Sequence, residues 1–295
     1  MNDKEYKLVF KKGYVHHHVE AQYLHILHDL MTNGEERETR NGITKSKFNK
    51  TISWDLKDGF PLLTTKKVFW KGIVEELLFF IRGETDTLKL SEKGVKIWEA
   101  NTSREFLDKM GLIYYPTGQM GPMYGYQWRR YNSSNDGDQL KKIIEEIKND
   151  PHSRRLLIAT YNPLQARMGV LYPCHSIILQ FYVEDSKLSC NMYQRSGDVF
   201  LGIPFNIAST SLLVHIISNL TNLQVGKVNL IMGDYHIYKA HYEQVLTQLS
   251  RTPYDLPKLE MKEFKTLEEV ENSVFEDYKI VDYQSHQPIK AQMVA

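Results

Sequence analysis

Cysteine occurs only as Cys174 and Cys190, and the two sit in different surroundings. Cys174 closes the run Leu171-Tyr172-Pro173-Cys174 and precedes His175, at the entrance to a stretch with strand character. Cys190 lies inside such a stretch, where a cysteine behaves as a small hydrophobe. A thiol attacks as its thiolate, and positive charge nearby favours that form. Arg195, Arg154 and Arg155 fall in the same predicted sheet region as Cys174. Cys174 is therefore the candidate nucleophile and Cys190 a packing residue. A Cys-His pair taken alone more often marks an inert buried thiol than a reactive one.

The run from Tyr193 to Asn206, YQRSGDVFLGIPFN, is more specific. It gathers Arg195, Ser196, Asp198 and Asn206 around two glycines, between a predicted strand and a buried helix. Arg195 and Ser196 suit a phosphate, by charge and hydroxyl donation. Asn206 offers a carbonyl and an NH₂ side by side, the pair that reads a base edge carrying adjacent N–H and C=O groups. A polar loop capping a helix is the plain alternative, and it has no need of all four residue types.

The elements that must hold these groups follow from periodicity. Residues 19–33 repeat apolar positions at helical intervals and stop at Gly34. Residues 67–82, KVFWKGIVEELLFFIR, predict a strongly apolar helix carrying Glu75 and Glu76 and stopped by Gly83. A glutamate beside an apolar stripe usually faces solvent; one that faces inward needs a partner or a task. Residues 139–149 predict a helix with a polar face. RLLIATY (155–161), SIILQFYV (176–183) and KLSCNMYQ (187–194) are strand-like, the last two joined as a hairpin through Glu184-Asp185-Ser186. Helices follow over 205–220 and 236–250, and short strands and loops from 251. The expectation is a single layered α+β domain over the whole chain, with residues 1–18 as an N-terminal extension.

Composition limits the function classes. The 37 basic and 36 acidic side chains leave a formal charge of +1, without the basic excess of a general nucleic-acid binder. Two cysteines make no disulfide framework, which points to a reducing compartment, cytoplasmic or nuclear. No apolar run is expected to span a membrane, and no signal-peptide core opens the chain. His16, His17 and His18 are adjacent and point different ways, a poor metal site, and no metal is expected.

Several segments together resemble the thymidylate synthase family. LYPCHSIILQFYV (171–183) is similar to its nucleophile signature, and SCNMYQRSGDVFLGIPFNIAS (189–209) and GDYHIY (233–238) to its substrate-binding segments. FPLLTTKKVFWKGIVEELLFFIRG (60–83), GVKIWEANTSREFLD (94–108), GPMYGYQW (121–128), DPHSRRLLIATYNP (150–163) and the closing IKAQMVA match as well. The likeness covers about residues 19–295, and the 94–108 segment resembles the eukaryotic and DNA-virus branch.

The resemblance implies a large mixed β-sheet flanked by helices and used for dimerisation. It implies conversion of dUMP to dTMP, with 5,10-methylenetetrahydrofolate as donor of both carbon and hydride, and neither metal nor nicotinamide cofactor. Carried over residue by residue, Cys174 is the nucleophile, and Glu76, Tyr124 and Asn206 handle protons, with Arg195 and Asp198 beside them. The phosphate falls to Arg40, Arg195 and Ser196, joined by Arg154 and Arg155 from the second subunit of a homodimer. His236 and Tyr238 match the sugar-binding positions, and Asp198 and Asn206 complete the dUMP set. Trp98, Asn101, Leu171, Asp198, Gly202 and Phe205 match folate contacts, with the tail to Ala295 closing as a lid.

The chain departs from the family pattern in places. Its Arg40 loop reads Arg40-Asn41-Gly42-Ile43-Thr44-Lys45, Gln119 replaces an aspartate, and Ser285 and Gln287 replace two prolines around His286. Three other functions remain open to the residues: a pyrimidine 5-hydroxymethylase of the same fold, a silent nucleotide- or RNA-binding relative, and an unrelated cysteine hydrolase. Asn206 stands against a cytosine substrate, and the presence of Cys174 and Glu76 against silence. His175, next to Cys174 in an expected strand, should face away from it, which leaves the hydrolase without a base.

Overall fold

The computed structural model describes residues 18–134 and 136–294. Ala295, His16 and His17 lie outside the described residues, as does the N-terminal extension except His18.

In chain order the elements are α1 (Ala21–Asn33), β1 (Glu35–Thr39), β2 (Gly42–Asp55), α2 (Trp70–Ile81), α3 (Leu88–Ser91), α4 (Arg104–Lys109), α5 (Tyr124–Arg130) and α6 (Gln139–Asn149). After them come β3 (Leu157–Ala159), β4 (Ile178–Glu184), β5 (Lys187–Asp198), α7 (Gly202–Thr221), β6 (Gln224–Tyr238), α8 (Tyr242–Leu249), β7 (Lys258–Met261), α9 (Leu267–Glu271) and β8 (Tyr278–Val281). Six strands form one sheet in the order β1-β2-β6-β5-β4-β3, and β7 pairs with β8 in a second, two-stranded one. Within the large sheet β5 and β6 run parallel and the other neighbours antiparallel, so the sheet is mixed, as expected.

The β4–β5 hairpin forms where predicted, since β4 alternates exposed and buried residues without a break. The buried faces of β5 and β6 pack on α7. The helix begins at Gly202, three residues before the predicted start, with Pro204 in its first turn where a missing N–H costs nothing. At 20 residues, α7 is long and apolar enough to cross a membrane by length and composition, contrary to the sequence expectation. However, most of that apolar stretch is buried inside the fold, so α7 serves as the central core helix. Behind it lies α2, packed against both α7 and α5.

Two expectations need correction. Strands β1, β2 and β6 were absent from the periodicity reading, and residues 236–238, read as the start of a helix, end β6 instead. In β2 the alternation breaks near Asn49, whose φ is 66° and which is skipped in the pairing with β6. The register does not shift there, and buried positions stay even-numbered at Thr44, Ser46, Ile52 and Trp54, but the exposed run from Phe48 to Thr51 hides the period of two from a sequence scan. The second correction concerns His175, which lies in irregular backbone ahead of β4, where Ser176 has φ 49°. The alternation argument that turned His175 away from Cys174 therefore does not apply.

Candidate active site

The wall of the site begins in α2. Ten of its twelve residues are buried, Glu75 and Glu76 among them. Glu75 meets the ammonium of Lys93 at 2.6 Å, so its charge has a partner. Glu76 pairs with no cation among the described residues; it accepts from Trp98 Nε1 at 2.7 Å. Burial pushes the Glu76 carboxyl up to about 7, and the indole bond only partly opposes this. A carboxyl poised there can both take and give a proton near neutrality.

Tyr124 reaches this wall because α5 lies almost against α2. A Cβ on Gly125 would sit 2.4 Å from the carbonyl of Phe80, so no larger residue lets the helices approach this closely. Tyr124, at the helix start, has φ 25°, and Gln119 Oε1 caps the Gly121 N–H in the preceding turn at 3.0 Å. The departure at Gln119 thus keeps a side-chain acceptor there. The Tyr124 ring lies 6.1 Å from Trp98 and stacks on His175 at 4.1 Å. Burial pushes His175 down to about 4, which keeps its ring neutral at ordinary pH.

Cys174 is half-buried, with Sγ 3.5 Å from the Tyr124 hydroxyl. Its carbonyl accepts from Arg195 N at 2.8 Å, which fastens the cysteine loop to β5. Burial raises the Cys174 thiol; Tyr124's hydroxyl and Arg195's charge pull it down without cancelling that rise. Of the arginines expected to favour the thiolate, Arg195 acts on it, while Arg154 and Arg155 are exposed ahead of β3. Cys190 is buried in β5 and burial alone drives its thiol far up, as suits a packing residue.

Arg195, bonded to the Cys174 carbonyl, also lines a cavity of about 480 Å³ together with Arg40, Ser196, Asp234, His236 and Tyr238 among others. Arg40 sits in the two-residue turn between β1 and β2, where Thr39 pairs with Gly42. The altered loop is therefore a regular hairpin that presents its arginine to the cavity. His236 Nδ1 is 2.7 Å from Asp234 Oδ1, and Val199 N donates to the His236 carbonyl at 2.9 Å. Asp198 Oδ1 accepts from the backbone N–H groups of Phe200 and Leu201 at 2.9 and 3.1 Å, holding the turn into α7.

The orientation of Asn206 follows from its neighbours. Ser196 O can only accept, so Gln194 turns Nε2 toward it at 3.0 Å. Gln194 Oε1 then faces Asn206 Nδ2, also at 3.0 Å. That leaves Asn206 Oδ1 and one N–H for a ligand. Sequence reading missed Gln194, although a glutamine on the buried face of β5 is a signal. It also missed Asp234 and the buried Lys66, whose ammonium bonds Phe200 O and lies 3.6 Å over the Phe200 ring. Burial pulls Lys66 down to about 7.

On the remaining side, Asn101 is 2% exposed and its Nδ2 has no partner among the described residues, a buried donor that a ligand acceptor would satisfy. Leu171 and Phe205 pack at the edge of the core. A Cβ placed on Gly202 would meet nothing nearer than Asp198 Cβ at 3.8 Å, so the space above it is open. No group of three metal-ligating side chains occurs among the described residues.

A connected set thus runs from Glu76 through Trp98 and Tyr124 to Cys174 and on to the arginine-lined cavity. A model of the thymidylate synthase family matches residues 21–295. The chain belongs to the thymidylate synthase family. It is 44% identical to the thymidylate synthase of Human herpesvirus 8 over 287 residues, 94% of this chain and 84% of the viral one. Thymidylate synthase from Homo sapiens is also 44% identical, covering 94% of this chain and 91% of its own. The bifunctional dihydrofolate reductase-thymidylate synthase of Paramecium tetraurelia is 44% identical too, and this chain spans 61% of it. Viral and eukaryotic relatives agree with the branch expected from residues 94–108.

Proposed function

We propose that the protein converts dUMP to dTMP, with 5,10-methylenetetrahydrofolate as co-substrate and dihydrofolate as second product. The observation that carries this reading is the connected set of Cys174, Tyr124, Trp98 and Glu76 at the edge of an arginine-lined cavity. C5 of uracil is a poor carbon nucleophile. Addition of the Cys174 thiolate to C6 moves electron density onto C5 and O4, so C5 can form the new carbon bond. The folate supplies the one-carbon unit and the hydride.

The protein's part is binding, orientation and proton handling. Arg40, Arg195 and Ser196 take the phosphate, and His236 and Tyr238 the sugar hydroxyl. Charge from Arg195, already lowering the Cys174 thiol, favours the thiolate against burial. Asn206, fixed by Gln194, presents its carbonyl to the uracil N3–H and its free N–H to O4. Glu76 exchanges protons at O4 and C5 through bound water, with Tyr124 beside Sγ. Trp98, Asn101, Leu171, Asp198, Gly202 and Phe205 border the folate. Unpartnered Asn101 Nδ2 and the open space over Gly202 fit such a ligand. The tail to Ala295 then closes and excludes water.

The active form is a homodimer joined through the large sheet. Ile178, Tyr182 and Tyr193 stand exposed on the face opposite α7, with Tyr193 directly across from Ile178. Covering that face would bring the exposed Arg154 and Arg155 of each subunit to the other's phosphate. Both cysteines are free thiols, which suits a reducing compartment such as the cytoplasm.

Incubation with dUMP and 5,10-methylenetetrahydrofolate, without added metal or nicotinamide, should yield dTMP and dihydrofolate in equal amounts. Formation of 5-hydroxymethyl-dUMP with tetrahydrofolate would overturn this reading in favour of a hydroxymethylase.

A further inference from the structure

One buried acid stands outside the site just described. Glu20, at the start of α1, is fully buried, and its two oxygens accept four hydrogen bonds. Oε2 receives Thr64 N at 2.8 Å and Thr64 Oγ1 at 2.7 Å. Oε1 receives Thr65 N at 3.0 Å and the Thr65 hydroxyl. Four donors on one carboxylate fix both the backbone and the side chains of this dipeptide.

The hydroxyls of Thr64 and Thr65 also accept from Tyr254 N and Gln248 Nε2, each at 2.9 Å, and the two carbonyls lead to the C-terminal tail. Thr64 O accepts from His286 N at 2.8 Å. Thr65 O accepts from Arg251 Nη1 at 2.9 Å, and the same Nη1 donates to Gln287 O at 2.7 Å. Further along, Gln292 O lies 2.8 Å from His241 Nε2. The next residue after the pair is Lys66, whose ammonium bonds Phe200 O, two residues before Gly202, which borders the folate space. Glu20 thus holds a dipeptide that anchors the base of the tail and leads directly into Lys66, which bonds the turn ahead of Gly202.

We propose that Glu20 is a positioning residue for the folate side of the site, acting through Thr64 and Thr65 on the tail and on Lys66. This rests on the functional reading above. Glu20 touches neither substrate, so its loss raises the KM of the co-substrate that the tail covers and spares the dUMP pocket.

The test uses Glu20→Gln, with Thr65→Val and Thr65→Ser in case the first variant fails to fold. A glutamine amide points its NH₂ at donors that a carboxylate would receive. Valine removes the Thr65 hydroxyl and serine restores it. In Glu20→Gln and Thr65→Val, hydrogen exchange at the His286 amide should speed up about tenfold while the amides of α7 keep wild-type rates. KM for the folate should rise about tenfold, with KM for dUMP within about twofold of wild type. Thr65→Ser should restore both. Unchanged exchange at His286, or equal rises in the two KM values, would overturn the proposal. A wild-type protein unable to turn over dUMP would sink the functional reading instead, and the exchange result would then decide the role of Glu20 alone.

Discussion

Replacing Glu76 by glutamine should make the protein more stable above neutral pH while removing its activity. Glu76 is 8% exposed and faces one donor, Trp98 Nε1. Burial lifts its carboxyl from the ordinary 4.5 to about 7. At pH values below 4.5 the carboxyl is protonated in folded and unfolded chains alike, and the site carries no penalty. From there to about 7 the unfolded chain has lost the proton that the folded chain still holds, so stability falls as pH rises. The displacement is worth about 3 kcal/mol, fully developed once pH exceeds the folded value. Glutamine fills nearly the same volume, can accept from the indole and does not titrate. The gain should therefore be about 2–3 kcal/mol near pH ~8.5 and below about 1 kcal/mol near pH ~5. Urea unfolding of both proteins at the two pH values reads this directly, at one protein concentration because assembly adds its own contribution. Turnover measured alongside should be lost at both. A stability change of equal size at the two pH values would refute the claim that burial sets this group's pKa.

Asn206→Asp should cut kcat/KM for dUMP sharply and admit dCMP, because a carboxylate repels O4 and accepts from N4. Each mismatched buried group costs on the order of 1–3 kcal/mol, so the dUMP-to-dCMP ratio should shift by roughly a hundredfold or more; an unchanged ratio would remove Asn206 as the base reader. Cys174→Ala and Arg155→Ala subunits should each be inactive alone. Refolded together they should regain partial activity, since one hybrid site holds every group; confirmed heterodimers without recovery would show that each subunit builds its own site.

Much of the scaffold was legible because its period survives locally. The β4–β5 hairpin alternates cleanly, and α2 is strongly apolar apart from Lys71, Glu75 and Glu76. Strand β6 was not legible: its far end, His236-Ile237-Tyr238, abuts a true helix, and it pairs with β2, remote in sequence, and with β5 across the whole of α7. No local period encodes the parallel β5–β6 pairing. The site divides the same way. Cys174 and the Arg195–Asn206 run carry their chemistry in their types and spacing, whereas Glu76, Tyr124 and Trp98 came from family likeness. Gln194 and Glu20 escaped notice because each acts through a contact made only after folding, with Asn206 from α7 and with Thr64 and Thr65 ahead of α2. Burial also outweighed the expected effect of arginine on the Cys174 thiol, which a sequence cannot weigh.

The central claim is that Cys174, and not Cys190, performs the chemistry on dUMP. Cys174→Ser and Cys190→Ser, each shown to be folded, can be assayed side by side for dTMP formation. Serine in place of Cys174 should lower turnover by roughly three orders of magnitude or more, since an unactivated hydroxyl is a far weaker nucleophile than a thiolate. Serine at the buried Cys190 should leave turnover within a few fold of wild type. Comparable losses in both variants, or retained activity without the Cys174 sulfur, would contradict the account.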